Sequence, residues 1–181
     1  MKISNRSNVD SFIVMDVMEQ ARLEEEAGRK IIHMEVGQPG TPAPKGAIKA
    51  LSRKMNTEPM GYTVALGLPI LRLKISELYK KWYNLELNPD RVIVTSGSSG
   101  AFLLAFTSLF DKGSKVGIGA PGYPSYRQIL KALDIEPIII QTTSEDKFQI
   151  TSNSIFGRKL DGVLVASPAN PTGSMLSYGP L

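Results

Sequence analysis

The sequence contains no cysteine and only one histidine, and these two absences exclude several kinds of active site. Without cysteine the chain can form no disulfide, no thiol nucleophile and no cysteine-ligated metal site. His33 alone cannot build the multi-histidine centre that binds zinc in many enzymes. We therefore predict that the chain has no metal site.

Long hydrophobic runs and a strong excess of one charge are also lacking. No window approaches the roughly 18 apolar residues of a membrane helix, and the opening stretch, MKISNRSNVD, has no apolar core of a signal peptide. The net charge is only +4, and lysine and arginine are scattered instead of forming a basic stripe. We predict a soluble, cytoplasmic protein with no membrane and no nucleic-acid partner.

The order of the remaining patterns along the 181 residues predicts an α/β fold. Helical periodicity covers residues 9–28, 45–55, 70–83, 98–110 and 124–133. The predicted strands are IIHMEV, RVIVTSG, KVGIGA, IEPIII and DGVLVA. In the second half of the chain the strands are apolar throughout and alternate with helices, which is typical of a parallel sheet covered on both faces.

Three strand ends have unusual chemistry, at the edge where open α/β sheets bind ligands. The first, TSGSSGA at residues 95–101, lies between a strand and a helix. Glycine lets the backbone approach an anion closely, and serine hydroxyls and helix N–H groups add donors. The stretch fits a phosphate-binding turn and fits equally a capped strand–helix turn. It matches neither the nucleoside triphosphate loop nor the dinucleotide-binding fingerprint.

The other two strand ends are APGYPSY at residues 120–126 and SPANPTG at residues 167–173. Tyr123, fixed between two prolines, either offers a flat face to a planar ring or plugs the edge of the domain. Asn170 offers an amide donor beside an Asn-Pro bond that is a candidate for the cis form. Asn-Pro-Thr-Gly is also common turn chemistry. Taken alone, neither stretch decides a function.

The combination is more specific than its parts. Gly-Ser-Ser-Gly-Ala, Pro-Gly-Tyr-Pro and Asn-Pro-Thr-Gly, in this order and spacing, resemble the motifs of class I and II aminotransferases, which use pyridoxal phosphate. Upstream, EVGQPGTPAP resembles their substrate loop, and GYTVALGLPILR resembles their Tyr-x4-Gly-x3-Leu-Arg segment. The resemblance implies the three-layer α/β/α large domain of the aspartate aminotransferase type, with a mainly parallel sheet that is incomplete here.

The resemblance also implies roles in binding pyridoxal phosphate. Gly97, Ser98 and Ser99 would bind its phosphate. Tyr123 would stack on its ring. Asn170 would donate to the phenolic oxygen of the ring and contact the substrate.

Two further roles implied by the resemblance concern the substrate and a second subunit. Gly37 would meet the substrate carboxylate through its backbone. Tyr62 would reach the phosphate bound by the neighbouring subunit, which implies a homodimer acting on an amino acid and a 2-oxo acid. Residues 1–40 would form an N-terminal helix and small-domain or arm segment, and residues 41–181 the first part of the cofactor-binding large domain.

The family's lysine, ring-nitrogen carboxylate and substrate arginine all follow the Asn-Pro-Thr-Gly corner, after which this sequence has only SMLSYGPL. None of its thirteen lysines has the family's Ser-x-Ser-Lys context. A lysine must bind the cofactor and move the α-proton. We therefore expect no catalytic residue here and an aminotransferase portion that is inactive alone. A non-catalytic remnant that binds pyridoxal phosphate or dimerises, and a lyase of the same fold, are the alternatives.

Overall fold

The computed structural model describes residues 2–177, whose contacts group into two compact units. One unit contains the chain up to Glu19 and again from Ser96 onward, and the other runs from Gln20 to Thr95. This division concerns contacts within the chain. The predicted division into residues 1–40 and 41–181 stays a prediction.

Helices and strands alternate along the second half of the chain, so the predicted α/β class is confirmed. Within residues 2–177 the helices are α1 (Ile13–Glu26), α2 (Lys45–Thr57), α3 (Pro69–Tyr83), α4 (Gly97–Leu109), α5 (Pro124–Ala132) and α6 (Ser152–Ile155). The strands in the same range are β1 (Lys115–Ala120), β2 (Glu136–Gln141) and β3 (Gly162–Leu164). None of these helices combines the length and apolar character needed to cross a membrane.

The strands form one parallel sheet in the order β2-β1-β3. β1 pairs with β2 along its whole length and with β3 over three residues. The core lies where α4 and α5 cover this sheet, and its buried members are Phe106, Val116, Ile118, Leu130 and Ile135. Apolar residues at successive positions of β1 are buried because helices and neighbouring strands surround that strand.

Two predicted strands are wrong. IIHMEV and RVIVTSG belong to no sheet within residues 2–177. In the second stretch, the N–H of Val94 donates to the carbonyl of Leu66 (3.0 Å), and the carbonyl of Val92 accepts from the side chain of Arg72 (2.9 Å). An apolar run becomes a strand only where another strand supplies a hydrogen-bond ladder. Here a loop and a side chain use those backbone groups instead.

Proline and left-handed residues set several helix ends. α3 and α5 begin at Pro69 and Pro124, where the missing proline N–H costs nothing. α1 ends before Gly28, which has φ 86° and donates its N–H to the carbonyl of Glu25 (2.9 Å). Asn84, with φ 52°, ends α3 in the same manner.

The helix α4 is apolar on nearly all sides, but only part of it is covered within residues 2–177. Phe106 is buried, whereas Leu103, Leu104 and Leu109 are 47%, 56% and 71% exposed. A helix that is apolar all round is normally enclosed on every face. The described part of the chain therefore leaves apolar side chains on more than one side of α4 uncovered.

Arg72 organises the loop that follows α3. Its side chain is buried, and Nε donates to the carbonyls of Pro89 (3.1 Å) and Val92 (2.9 Å). Nη2 donates to the Pro89 carbonyl (2.8 Å) and to Oδ1 of Asp90 (3.0 Å). Because Asp90 is mostly exposed, its ion pair with Arg72 contributes little to the stability of the fold. The hydrogen bonds from the buried Arg72 side chain to the part-buried carbonyls of Pro89 and Val92 are therefore the main contribution of Arg72 to stability.

We expect Arg72→Ala to lower the free energy of unfolding of the Gln20–Thr95 unit by about 2–4 kcal/mol, because the carbonyls that it serves lose their donors. The single tryptophan, Trp82, lies on α3, so its fluorescence during a urea titration reports on this unit. Arg91→Ala, an exposed arginine of the same loop, is the matched control and should change stability by less than about 0.5 kcal/mol. Equal losses in the two variants would contradict the role of Arg72.

Candidate functional site

The carboxyl ends of β1 and β3 border a cleft of about 370 Å³, open solvent included. Its walls come from Gly119 of β1, the turn at Pro121 and Gly122, Tyr126 of α5, residues 148–150, residues 164–166 at the end of β3, and residues 169–170. Parallel strands end at the same edge of a sheet, so the turns that follow them are brought together there. Asn170 lines this cleft.

Tyr123 lines a neighbouring cleft and not this one. The two clefts share Gly119, Gly122 and Tyr126. Tyr123 is half-buried, and its ring lies nearly perpendicular to those of Phe12 (centroids 6.1 Å apart) and Tyr126 (5.4 Å). Tyr123 and Asn170 therefore flank one turn of the chain without facing a single cavity.

Gly122 allows this turn to lie close to the strand. A Cβ placed on Gly122 would be 2.5 Å from the carbonyl oxygen of Gly119, a distance that no side chain tolerates. The Ala120–Pro121 peptide bond is cis. Because Gly122 lies against Gly119, the chain leaves β1 in a tight turn. Tyr123 follows at the N-cap of α5, which begins at Pro124.

Tyr126 connects the two clefts to α4. Its ring contacts Phe102 of α4 in an edge-to-face arrangement, with centroids 4.9 Å apart. Burial raises the pKa of Tyr126, and Tyr123 adds a smaller contribution in the same direction. The phenol is therefore neutral in ordinary buffers and keeps its hydroxyl proton.

Gly97, Ser98 and Ser99 form the exposed first turn of α4 and line neither cleft. Gly97 has φ 73°, which favours glycine. Ser96, at the N-cap, makes no side-chain capping hydrogen bond. The N–H groups of a first helical turn point away from the helix and create a positive end, so this turn suits an anion.

The Asn-Pro-Thr-Gly corner folds back on itself after β3. The N–H of Gly173 donates to the carbonyl of Ala169 (2.7 Å), and the N–H of Ala169 donates to the carbonyl of Ser174 (2.9 Å). Gly173 has φ 68°, and the Asn170–Pro171 peptide bond is cis, as the sequence allowed. The side chain of Asn170 is exposed at this corner.

Gln149, which the sequence analysis missed, fastens the corner. It is only 6% exposed, and Nε2 donates to the carbonyl of Ser174 (2.9 Å) and to its Oγ (3.2 Å). Oγ of Ser174 also shares a hydrogen bond with Oγ1 of Thr172 (2.8 Å). The sequence feature that could have identified Gln149 is its place between apolar Phe148 and Ile150, because an isolated polar residue among apolar ones is often buried and hydrogen-bonded.

Gly37 and Tyr62 lie in the Gln20–Thr95 unit, and their relation to the clefts stays a prediction. Both are exposed, and no atom lies within 4 Å of a Cβ added at Gly37. In the same Tyr-x4-Gly-x3-Leu-Arg segment as Tyr62, Gly67 is buried with φ 97°, and an added Cβ would be 2.5 Å from Cγ2 of Val94. Glycine at position 67 therefore allows the loop to pack closely against Val94.

His33 lies between two carboxylates in this unit. Nδ1 is 2.7 Å from Oε1 of Glu35, and Nε2 is 3.1 Å from Oε1 of Glu25. The hydrogen bond to Glu35, followed by that to Glu25, raises the pKa of His33, and the same contact lowers the pKa of Glu35. The cluster ties α1 to the segment that precedes Gly37.

Comparisons with known proteins agree with these motifs. Residues 29–179 match the family model for aminotransferase class I and II. The valine–pyruvate aminotransferase of Mycobacterium tuberculosis is 39% identical, over 97% of this chain and 46% of its own length. A crystal structure of an aminotransferase from Mycobacterium tuberculosis is 38% identical with a TM-score of 0.92, covering 98% of this chain and 46% of that one.

A second crystal structure, of a Silicibacter pomeroyi protein described as an aminotransferase, is 57% identical with a TM-score of 0.86. It covers 98% of this chain and 45% of that one. The chain thus spans about half the length of the relatives that it matches.

We expect Gln149→Ala to loosen the corner at residues 169–174, because the Ser174 carbonyl loses its buried donor. Amide hydrogen exchange at Gly173 should accelerate, by roughly tenfold for each 1.4 kcal/mol of local opening free energy that is lost. Gln128→Ala, which removes a glutamine from α5, is the control and should leave this exchange unchanged. Unaltered protection of Gly173 in Gln149→Ala would contradict the fastening role.

The pKa shifts of His33 and Glu35 predict a window of added stability. The raised pKa of His33 gives a contribution that is full below its ordinary value of 6.5 and is lost as pH rises through the raised pKa. The lowered pKa of Glu35 gives a contribution that is present above 4.5 and is lost as pH falls through the lowered pKa. The cluster therefore stabilises most between these two ordinary values.

An NMR titration of the single histidine measures this coupling directly. Glu35→Gln should lower the pKa of His33 more than Glu25→Gln does, because the bond to Glu35 is the larger cause. Glu26→Gln, whose carboxylate pairs with Arg22, should leave the pKa unchanged. An unaltered His33 pKa in both Glu35→Gln and Glu25→Gln would show that the cluster does not form.

Proposed function

Because the chain belongs to the class I and II aminotransferases, we propose that it supplies the phosphate- and ring-binding part of a pyridoxal-phosphate-dependent enzyme. The reaction is transfer of an amino group between an amino acid and a 2-oxo acid. The family match over residues 29–179 carries the proposal, and it is supported by the cleft at the carboxyl ends of β1 and β3.

Three separate segments carry groups whose chemistry suits the parts of pyridoxal phosphate. The exposed first turn of α4, with the hydroxyls of Ser98 and Ser99, suits a phosphate. A half-buried Tyr123 suits a planar aromatic ring, and the amide of Asn170 suits a phenolic oxygen. When bound, the cofactor supplies the electron sink for chemistry at the substrate α-carbon.

Residues of this chain would hold the cofactor and orient it. The positive end of α4 offsets phosphate charge, so that binding does not depend on a cationic side chain. Gln149 keeps the corner rigid, and the corner keeps Asn170 at the cleft. Tyr126 remains neutral between the two clefts and adds no charge beside the ring. Such preorganisation lowers the ordering cost of binding.

No lysine lines either cleft within residues 2–177. We therefore propose that the 181 residues alone bind pyridoxal phosphate without covalent attachment and do not transfer amino groups. The same observation favours the second candidate, a non-catalytic protein that binds the cofactor or dimerises. Borohydride reduction followed by mass spectrometry tests the non-covalent binding that both readings expect, and stable attachment to a chain lysine would contradict it and rule out the non-catalytic reading.

A homodimer in the cytoplasm is part of the proposal. Tyr62 is fully exposed, so its phenol is accessible to a second copy of the chain. Its proposed role at the neighbouring phosphate requires such access. Gly37 is proposed to bind the substrate carboxylate through its backbone, and the open space around it leaves room for that contact.

We expect Ser98→Asp to weaken pyridoxal phosphate binding at least about tenfold, because a new negative charge would stand beside the phosphate. The substitution does not harm α4, since an acidic residue in a first turn favours the helix. Isothermal titration calorimetry of the 181-residue chain measures the affinity.

Two controls make this test specific. Ser108→Asp introduces the same charge near the other end of α4 and should leave the affinity close to that of the wild type. Pyridoxal, which lacks the phosphate, should bind wild type and Ser98→Asp alike. The proposal would be contradicted if the wild-type chain bound no pyridoxal phosphate, or if Ser108→Asp lost as much affinity as Ser98→Asp.

A further inference from the structure

The segment that precedes α1 lies against α5, within one compact unit. We call residues 4–12 the strap. Arg6 Nε pairs with Oδ2 of Asp134, just beyond α5, at 2.9 Å. Asp10 Oδ2 pairs with Nζ of Lys131 at 2.8 Å, and Arg127 Nη2 lies 3.8 Å from the same oxygen.

These contacts are ordered along both segments. From the start of the strap to its end, the partners on the α5 side descend from Asp134 through Lys131 to Tyr123. The strap therefore runs antiparallel to α5 over the length of the helix. Arg6 lowers the pKa of Asp134, and Lys131 lowers the pKa of Asp10, as expected for attractive pairs.

The last contact of the strap is Phe12 on Tyr123. The two rings are nearly perpendicular, at 86°, with centroids 6.1 Å apart. Within residues 2–177 the other aromatic ring beside Tyr123 is that of Tyr126, only three residues further along the same segment. Phe12 is thus the aromatic neighbour that comes from a distant part of the sequence.

We propose that Phe12 is a positioning residue for Tyr123, and that the ion pairs of the strap hold Phe12 in place. The inference rests on the proposed function, in which Tyr123 stacks on the cofactor ring. Tyr123 occupies the N-cap of α5 without a side-chain capping hydrogen bond, and its ring packs edge-to-face with Phe12 and Tyr126. A ring that is already fixed loses less conformational freedom on stacking.

Phe12→Leu tests the inference, because leucine keeps an apolar side chain and removes the aromatic edge. NMR of ring-labelled tyrosine in the cofactor-free chain, assigned with Tyr123→Phe, reports the order of the Tyr123 ring. We expect Phe12→Leu to increase ring averaging and to weaken pyridoxal phosphate binding by about three- to tenfold. Phe12→Tyr, which restores an aromatic ring, should recover both.

Asp10→Asn tests the strap without altering the aromatic pair. We expect a smaller change in the same two measurements that disappears at about 1 M salt, where the screening length is about 3 Å. Ile3→Ala, an exposed position outside the strap, is the control and should change neither.

The outcomes separate this inference from the proposed function. An unchanged Tyr123 signal in Phe12→Leu overturns the inference alone, whatever the cofactor does. A wild-type chain that binds no pyridoxal phosphate overturns the proposed function and the inference with it. Loss of ring order together with loss of affinity, both restored by Phe12→Tyr, supports the positioning role.

Discussion

The parallel pairing of β1 with strands on both sides is the constraint on which the candidate site depends. Because all three strands point the same way, their carboxyl ends meet at one edge. The end of β1 is locked there by Thr142, whose N–H and Oγ1 both donate to the carbonyl of Ala120, at 3.0 and 2.9 Å. The turn at Pro121 therefore begins at a backbone position that two hydrogen bonds hold. A change of register in β1 would move every turn at this edge.

The sequence predicts best those features whose causes are local. Proline at the starts of α3 and α5, Gly28 after α1 and the stiff Asn-Pro corner all act within a few residues of the chain. RVIVTSG was misread because a strand needs a partner, and its apolar pattern does not show that Arg72 takes one of its carbonyls. The role of Gln149 was not predicted for a related reason, because its hydrogen-bond partner, Ser174, lies 25 residues away in the sequence.

Family motifs mix residues that fold the chain with residues that face a ligand, and burial separates the two groups. In the Tyr-x4-Gly-x3-Leu-Arg segment, Gly67 and Arg72 are buried and hold a loop, whereas Tyr62 is fully exposed. Buried polar groups are retained because their removal leaves partners unsatisfied. The exposed Tyr62 has no such packing role, and its contact with a second subunit stays a prediction.

The helix α4 combines the proposed phosphate site with apolar side chains that the described residues leave uncovered. Its first turn is the proposed phosphate site, and its aromatic face packs on the sheet through Phe102, Phe106 and Phe110, while its leucines remain exposed. Within residues 2–177 the packing of α4 therefore comes from its aromatic side, which holds the first turn in place relative to the core.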